Sequence, residues 1–290
     1  ALSGAEILIL DKSGDQAFTL TCLSEAVSVS ETVVIKVFKR ITGVVVDGYI
    51  TGSTVFSDTN GNLKLDAGEE AVTSASDGSF TLDVGNGKVV SLGGFDTDMS
   101  NPLDDLLLIT PLRDSQLEAV VSPITTIASF MEKPEDLNAI LGVDASIDLM
   151  TTDPVAKKGT SDEYDLIYEK GNQLTVLAYS LQSATGETGE TSEDAFSSIT
   201  KVMEESYEAD STPVDIESAD FIEEVVDAVV EATQATVSTA NKANVNKALA
   251  NVLPLIQVRE DNSASQSVLN FATDTLVKDI QSLADGTASA

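Results

Sequence analysis

The chain has 290 residues, of which 48 are acidic and 16 basic, so its formal net charge is −32; it contains no histidine, no tryptophan and one cysteine. Such an acidic surface repels the phosphates of nucleic acids and of anionic membranes, so binding to either is not expected. The lack of histidine excludes Ser-His-Asp and Cys-His catalysis and histidine metal sites, and a single cysteine excludes an internal disulfide.

Hydrophobic residues make up 42% of the chain and aromatic residues 5%, so buried cores of Val, Ile, Leu and Ala are expected. No apolar run reaches the roughly 20 residues that span a bilayer, so membrane insertion is not expected. The N-terminus has no basic-then-apolar signal segment, as expected of a mature protein or of a piece of a larger one. Cys22 stands in a strand-like stretch and is expected to be a small buried apolar residue rather than a reactive thiol.

The first part of the chain has the pattern of short β-strands. Stretches rich in Val, Ile, Thr and Phe alternate with turn signals such as Ser76-Asp77-Gly78. Strands that recur every ~8–12 residues predict an antiparallel sandwich, which we place at residues 43–115. A break at Thr42-Gly43 leaves residues 1–42 as a β-strand arm or edge segment, with strands predicted at 6–11, 17–23 and 32–41.

Residues 116–290 have the pattern of an α-helical domain. Ser122-Pro123 combines a capping hydroxyl with a first-turn proline, and Ser161 and Ser192 each precede an acidic first turn, so all three positions mark helix starts. Residues 219–236 repeat apolar side chains at helical spacing, as do 242–258 and 268–283. About five to seven helices, joined by polar loops such as 185–191, predict a bundle. Four acidic residues of 219–236 are expected to face solvent, namely Glu223, Glu224, Asp227 and Glu231. The expected fold class is therefore α+β, an N-terminal antiparallel β-sandwich followed by a C-terminal α-helical bundle.

The stretch 58–69, DTNGNLKLDAGE, has the composition of a metal-binding loop. Oxygen-bearing side chains stand at its first, third, fifth, ninth and twelfth positions, and the seventh can supply its main-chain carbonyl. This is the spacing of an EF-hand calcium loop, in which a tightly coiled chain turns alternate residues toward one ion. The spacing predicts a calcium site with six ligands: Asp58, Asn60, Asn62, Lys64 through its carbonyl, Asp66 and Glu69.

Two features separate this stretch from an EF-hand. Its sixth position, where glycine allows the sharp turn, is Leu63, and Gly61 stands two residues earlier. The flanking sequences predict strands rather than helices, so a calmodulin-like opening of a helix pair is not expected. The alternative interpretation is a hairpin loop rich in Asp, Asn and Gly that binds no metal.

The stretch 44–84, VVVDGYITGSTVFSDTNGNLKLDAGEEAVTSASDGSFTLDV, resembles a repeat of very large bacterial surface adhesins. In that repeat a strand leads into a D-x-N-x-N-x-x-x-D-x-G-E loop, and a T-x-x-D-G-x-F-x-L strand follows. It is similar to the carboxypeptidase-regulatory and Cna-B-like sandwiches, and the resemblance extends over a trailing helical part, covering residues 43–184. The resemblance implies calcium ligation by the same six residues, and it implies a glycine where this chain has Leu63.

A second group of oxygen-bearing residues follows at 96–105 and could complete the calcium site or make another. It comprises Asp96, Asp98, Ser100, Asn101, Asp104 and Asp105. Its spacing matches no closed metal cage, so a solvated loop is the favoured interpretation.

These features together predict a non-enzymatic, extracellular, calcium-binding structural or adhesive module of a bacterial surface or secreted protein, in which calcium rigidifies the sandwich loop. The expected partners are neighbouring modules or identical subunits, joined by β-strand pairing. The alternative is a self-assembling subunit of an extracellular filament, sheath or virion that pairs its N-terminal strands with a neighbour. An enzyme would have to rely on a carboxylate pair, as glycosidases do, and the lack of tryptophan disfavours a sugar-binding cleft. Catalysis is therefore not expected.

Overall fold

The computed structural model describes residues 14–23, 28–85, 87–98, 101–102, 105–185, 192–258 and 267–287. Within these ranges strands come first and helices follow, so the chain belongs to the α+β class, as the sequence predicts. The predicted strand at 6–11 and most of the predicted loop at 185–191 lie outside the described residues. The same holds for the side chain of Cys22, whose main chain is part of the first strand.

The strands form four sheets among the described residues. In chain order they are β1 (Gly14–Leu23), β2 (Ser28–Val37), β3 (Lys39–Val45), β4 (Ile50–Thr51), β5 (Thr54–Asp58), β6 (Ala71–Thr73), β7 (Ser79–Val84), β8 (Lys88–Leu92), β9 (Phe95–Asp96), β10 (Asn101–Pro102), β11 (Leu107–Thr110) and β12 (Glu118–Val121). The sheet orders are β1-β2, β10-β9-β4, β11-β8-β5-β6 and β12-β3-β7. All four are open sheets.

The pair formed by β12 and β3 corrects two predictions. It is parallel, with Val120 opposite Val44, whereas the sequence predicts an antiparallel sandwich. Strand β12 also lies inside the range predicted to be helical. The parallel pairing is not visible locally, because parallel strands are joined by a long crossover connection. The strand itself is not visible either, because its four residues directly precede a helix start.

The predicted break at Thr42-Gly43 is also wrong, because β3 continues through both residues. Gly43 is needed for packing rather than for a turn. A β-carbon at Gly43 would lie 2.4 Å from the Ala119 carbonyl oxygen and 2.5 Å from Cζ of Phe80. Glycine in a strand commonly marks such a close approach of neighbouring groups.

The helices follow β12 almost without interruption. In chain order they are α1 (Pro123–Phe130), α2 (Leu137–Leu141), α3 (Pro154–Lys157), α4 (Asp162–Thr185), α5 (Glu193–Asp210), α6 (Ala219–Thr233), α7 (Thr239–Val252) and α8 (Val277–Ala284), with a π-helical segment, Phe271–Leu276, before the last. None of the helices in the described ranges has both the length and the apolar character needed to cross a membrane.

The three predicted helix starts are confirmed. Ser122 caps α1, and its hydroxyl accepts a hydrogen bond from the N–H of Thr125. Helix α4 begins at Asp162 and α5 at Glu193. The hydroxyl of Ser192 does not cap α5 but accepts a hydrogen bond from the N–H of Leu107, which ties that helix to β11. The four acidic residues predicted to be solvent-facing on α6 are exposed.

One hydrophobic core is continuous from the sheets into the helices. Ile41 of β3, Leu82 of β7 and Val55 of β5 belong to the same buried cluster as Leu177 of α4 and Phe196 of α5. The strand-rich and helix-rich parts therefore share buried apolar surface, which stabilises both at once.

Candidate metal centre

The loop 58–69 joins two neighbouring strands of the four-stranded sheet. It begins at Asp58, the last residue of β5, and ends just before β6, which pairs with β5 in the antiparallel direction. Strands therefore flank the loop, as the sequence predicts. The start of the loop is held in place because β5 is hydrogen-bonded to β8 on its other side.

The carboxylate of Asp58 lies at the centre of the coiled loop. The residue is 1% exposed. Its Oδ1 accepts a hydrogen bond of 2.7 Å from the N–H of Gly61, and its Oδ2 accepts one of 3.1 Å from the N–H of Leu63. Gly61 and Leu63 have φ angles of 79° and 57°. These left-handed conformations turn the chain around the carboxylate.

The side chain of Leu63 is held by a small apolar cluster on the four-stranded sheet. Its side chain is 8% exposed and packs in a separate cluster with Phe56, Val90, Leu107 and Ile109. The residue that replaces the expected glycine thus anchors the loop to the four-stranded sheet.

Three of the predicted ligands meet at Asp66. Its Oδ2 accepts hydrogen bonds from the side-chain amides of Asn60, at 2.7 Å, and Asn62, at 2.8 Å. These two hydrogen bonds lower the pKa of Asp66 below its usual value. The amide oxygens of Asn60 and Asn62 accept hydrogen bonds from the N–H groups of Asn62 and Lys64, at 3.0 and 2.9 Å. The NH2 groups of both amides therefore face Asp66, and each amide would have to turn for its oxygen to bind a cation there.

Glu69 closes the loop across its mouth. Its Oε1 accepts hydrogen bonds from the N–H and the hydroxyl of Thr59, at 2.7 and 3.0 Å. Its Oε2 accepts a hydrogen bond of 3.0 Å from the N–H of Asp66. Lys64, predicted to contribute only its carbonyl, has an exposed side chain.

Lys88 joins the base of the loop to helix α1. It lies opposite Asp58 in the β5–β8 pair, and its ammonium group donates a hydrogen bond of 2.8 Å to the Ser129 carbonyl. Burial lowers the pKa of Lys88, and the negative charge of Asp58 opposes that effect.

The donor set suits a hard cation. Three carboxylates and two amides supply only oxygen ligands, which calcium prefers, and the main chain adds carbonyls. Among the described residues, no three Asp, Glu or Cys side chains form a metal-binding group by themselves. The amide and main-chain oxygens of the loop would therefore have to complete the coordination. The residues present fit calcium in this respect.

The second group of predicted residues does not join this loop. Asp96, at the end of β9, is fully buried, so the prediction of a solvated loop is wrong for it. Its Oδ2 accepts a hydrogen bond of 3.0 Å from the N–H of Gly48, and its Oδ1 accepts one of 2.6 Å from the N–H of Asp98. The remaining residues contribute little that is described. Ser100 and Asp104 lie outside the described residues, Asn101 is described only by its main chain in β10, and Asp105 accepts a hydrogen bond through its carbonyl from the N–H of Ser192.

Asp47 is a buried carboxylate that its sequence pattern does not reveal. It lies in the turn after β3 and is 4% exposed. Burial, then the charge of Asp96, raises its pKa well above the usual value; the nearby Thr175 hydroxyl opposes the rise, and Asp98 adds to it. Asp47-Gly48 after three valines has the pattern of an exposed turn, so only the fold shows that helix α4 covers this turn.

Comparison of the chain with protein-family models, with curated proteins and with solved structures finds no match. The interpretation of the loop 58–69 as a metal centre therefore depends on its residue spacing and on its geometry.

Proposed function

We propose that the chain is a non-enzymatic, calcium-binding structural or adhesive module of a bacterial surface or secreted protein, with the ion held in the loop 58–69. The observation that supports this best is the convergence of the loop's oxygen side chains. Asp58 is buried at its centre, the side-chain amides of Asn60 and Asn62 donate hydrogen bonds to Asp66, and Glu69 closes its mouth.

Calcium would act by stiffening the connection between β5 and β6. Asp58 belongs to β5 itself, and Leu63 packs against the side chains of the four-stranded sheet, so order in the loop extends into this sheet. An ion that binds only the folded chain stabilises it by about 2.7 kcal/mol when its concentration is ~100-fold above the dissociation constant.

An extracellular location agrees with the charge of the chain. A net charge of −32 favours solubility but also produces self-repulsion, which bound divalent ions and salt reduce. Calcium-rich surroundings outside the cell would keep a site of modest affinity filled, and the module would be stiffer there than inside the cell.

Thermal unfolding with calcium and with EDTA tests the proposal, using a matched pair of variants. Glu69→Gln removes the carboxylate that closes the loop, whereas Glu70→Gln makes the same charge change at the next residue, which is exposed. We expect calcium to raise the melting temperature of the wild type and of Glu70→Gln by the same amount, and to raise that of Glu69→Gln by less.

The outcomes separate the two interpretations of the loop. A calcium response that is reduced in Glu69→Gln but not in Glu70→Gln supports a metal centre in the loop. Equal melting temperatures with calcium and with EDTA in all three proteins would mean a hairpin loop without a metal, and the proposal would be wrong.

Self-assembly into an extracellular filament, sheath or virion is a second candidate function, and the β1–β2 ribbon favours it. No other described strand pairs with either member of this ribbon. Register places Phe18, Val29, Val33 and Ile35 on one face, and the last three are 62%, 54% and 44% exposed. An isolated ribbon of two strands is marginally stable in water, so pairing with an identical subunit would cover apolar surface and free edges.

Size-exclusion chromatography with light scattering, over a range of protein concentrations, tests this second candidate. Val33→Lys places a charge on the apolar face, and Thr32→Lys places the same charge on the opposite face. Assembly of the wild type and of Thr32→Lys, but not of Val33→Lys, is expected. A wild type that stays monomeric at every concentration would rule out assembly through the ribbon.

A further inference from the structure

Three carboxylates lie near one another where the strands contact helix α4. Asp47 lies in the turn after β3, and Asp96 and Asp98 lie at the end of β9 and just beyond it. A β-carbon at Gly48 would lie 2.4 Å from Asp96 Oδ1 and 2.6 Å from Asp98 Cβ, so the Asp47-Gly48 turn packs directly on the other two. Burial and the charges of all three carboxylates raise the pKa of Tyr168 on α4. The three therefore share one small volume beside this helix.

Asp47 has no hydrogen-bond partner in that volume. It is 4% exposed, and neither of its carboxylate oxygens accepts a hydrogen bond from a described residue. The Thr175 hydroxyl is close enough to affect its pKa, yet the two groups do not reach hydrogen-bond geometry. An ionised carboxylate buried without partners is costly, and buried charges are normally paired or bind a metal. Asp47 is therefore expected either to bind a cation or to be protonated.

The positive charge available nearby does not reach Asp47. The ammonium group of Lys158 lies 3.8 Å from Oδ2 of Asp98 and 4.2 Å from the centre of the Tyr168 ring. The Tyr168 hydroxyl donates a hydrogen bond of 3.1 Å to the same Asp98 oxygen. Lys158 and Tyr168 interact with Asp98 and not with Asp47, so neither of them neutralises the buried carboxylate of Asp47.

Space for a small occupant is present beside Asp47. A cavity of about 10 Å³ is lined by Asp47, Tyr168 and Gly171, among other residues. A cavity of roughly this size accommodates a single water molecule. Asp47 and residues of α4 both line it.

We propose that Asp47, Asp96 and Asp98 bind one divalent cation of the hard, oxygen-preferring class, with the Thr175 hydroxyl as a neutral ligand. The three carboxylates do not form a metal-binding group by themselves in the described conformation, so the ion draws them together when it binds. Calcium is the member of this class to which the proposal commits. Asp98 is held by Tyr168 and Lys158 in the described conformation, so the ion displaces the Lys158 ammonium when it binds. The bound cation links the turn after β3 and the end of β9 to helix α4, and so holds the strands on the helices.

This site is separate from the loop 58–69, and each can exist without the other. Isothermal titration with calcium counts the ions bound per chain, with wild type, Asp47→Asn, Glu69→Gln and the exposed control Asp114→Asn. Terbium(III), a luminescent substitute for calcium, adds a local readout, because Tyr168 contacts the proposed site and can sensitise a nearby ion. We expect two ions for the wild type and the control, and one for each of the other two variants. Tyrosine-sensitised terbium emission that calcium competes away is expected to be lost in Asp47→Asn and kept in Glu69→Gln.

Lys158→Gln tests the same proposal without touching a ligand. Removal of the competing ammonium is expected to tighten calcium binding at this site by at least about threefold, since the two positive charges no longer repel. This variant keeps the proposal falsifiable if Asp47→Asn fails to fold.

Three results would overturn the proposal. The first is that Asp47→Asn binds as many calcium ions as the wild type. The second is that the wild type binds a single calcium ion and Glu69→Gln binds none. The third is that Lys158→Gln binds calcium no more tightly than the wild type. In the second case Asp47 is a neutral, protonated acid, and the calcium loop stands alone. If instead the loop 58–69 binds no calcium, the wild type binds one ion, which is lost in Asp47→Asn and kept in Glu69→Gln.

Discussion

The buried carboxylate of Asp58 accepts a hydrogen bond of 3.1 Å from the N–H of Leu63, the residue at the position where calcium loops have glycine. Leu63 has a φ of 57°, in the left-handed region that costs an ordinary residue about 1–2 kcal/mol. Full burial of a leucine side chain contributes about 1.5–3 kcal/mol, and Leu63 is 8% exposed. The apolar anchor therefore offsets the cost of the backbone conformation.

Leu63→Ala and Leu63→Gly separate these two contributions. Both remove the buried side chain, which is expected to cost about 2–5 kcal/mol of unfolding free energy, but only glycine also relieves the backbone. We expect Leu63→Gly to be more stable than Leu63→Ala by up to about 1 kcal/mol, the reverse of the usual order. Denaturant unfolding in EDTA measures the difference without a contribution from calcium. A Leu63→Ala variant that is the more stable of the two would contradict this balance.

The features that the sequence predicts well depend on neighbouring residues. The serine at 122, the acidic first turns of α4 and α5 and the apolar stripe of α6 each involve a few consecutive positions, and the structure places these helix starts as predicted. The strand flanks of the loop 58–69 are of the same kind.

The features that the sequence does not reveal depend on contacts between distant residues. In the sequence Gly43 has the pattern of a break between strands, but in the fold the Phe80 ring and the Ala119 carbonyl fill the space beside it. Asp47 has the pattern of an exposed turn residue, and its burial depends on α4, more than 100 residues later. The anchor of Leu63 is made by strands on both sides of it in the chain.

Gly43 and Gly171 are expected to respond in opposite directions to a methyl group. Gly43→Ala places a β-carbon against the Ala119 carbonyl and the Phe80 ring, and such overpacking costs about 1–3 kcal/mol. Gly171 lies inside α4, and a β-carbon there meets nothing within 4 Å, so Gly171→Ala is expected to stabilise by roughly 0.5–1 kcal/mol. Urea unfolding of both variants checks the prediction. Stabilisation by Gly43→Ala would show that β3 and β7 are packed less closely than described.

The cap of α1 is expected to matter more than the cap of α7. The hydroxyls of Ser122 and Thr125 each accept a hydrogen bond from the other's N–H, at 3.1 and 2.8 Å, and both residues are buried. Ser122→Ala leaves a buried N–H without a partner, a loss of about 1–3 kcal/mol. Ser238 caps α7 in an exposed position, so Ser238→Ala is expected to cost about 0.5–1 kcal/mol. Equal losses in the two variants, measured by denaturant unfolding, would contradict the importance of burial.

The ion pair between Arg113 and Asp148 gives a prediction about acid stability. The guanidinium donates hydrogen bonds of 2.8 and 3.1 Å to the two carboxylate oxygens, and the N–H of Met150 donates another. Partial burial alone would raise the pKa of Asp148, but these hydrogen bonds and the Arg113 charge outweigh it and lower the pKa. A carboxylate whose pKa is lower in the folded state stabilises the fold above its unfolded pKa of about 3.9, and this stabilisation is lost as the pH falls through the folded value.

Unfolding free energies of the wild type and of Arg113→Gln between pH 7 and pH 3 measure this loss. The side chains of Arg113 and Asp148 are 64% and 40% exposed, so the wild type is expected to be more stable by less than about 1 kcal/mol at pH 5–7. The difference should begin to shrink near pH 4, where Asp148 becomes protonated in the unfolded chain, and shrink further as the pH falls through the lower pKa of the folded chain. Self-repulsion from the net charge of −32 changes with pH in both proteins alike, so the comparison isolates the pair. As a control, Asp148→Asn is compared with the double variant Asp148→Asn/Arg113→Gln, and their difference in unfolding free energy should not change with pH, because neither protein has a carboxylate at position 148. If the difference between wild type and Arg113→Gln persists unchanged to pH 3, Arg113 stabilises the chain by packing rather than by charge.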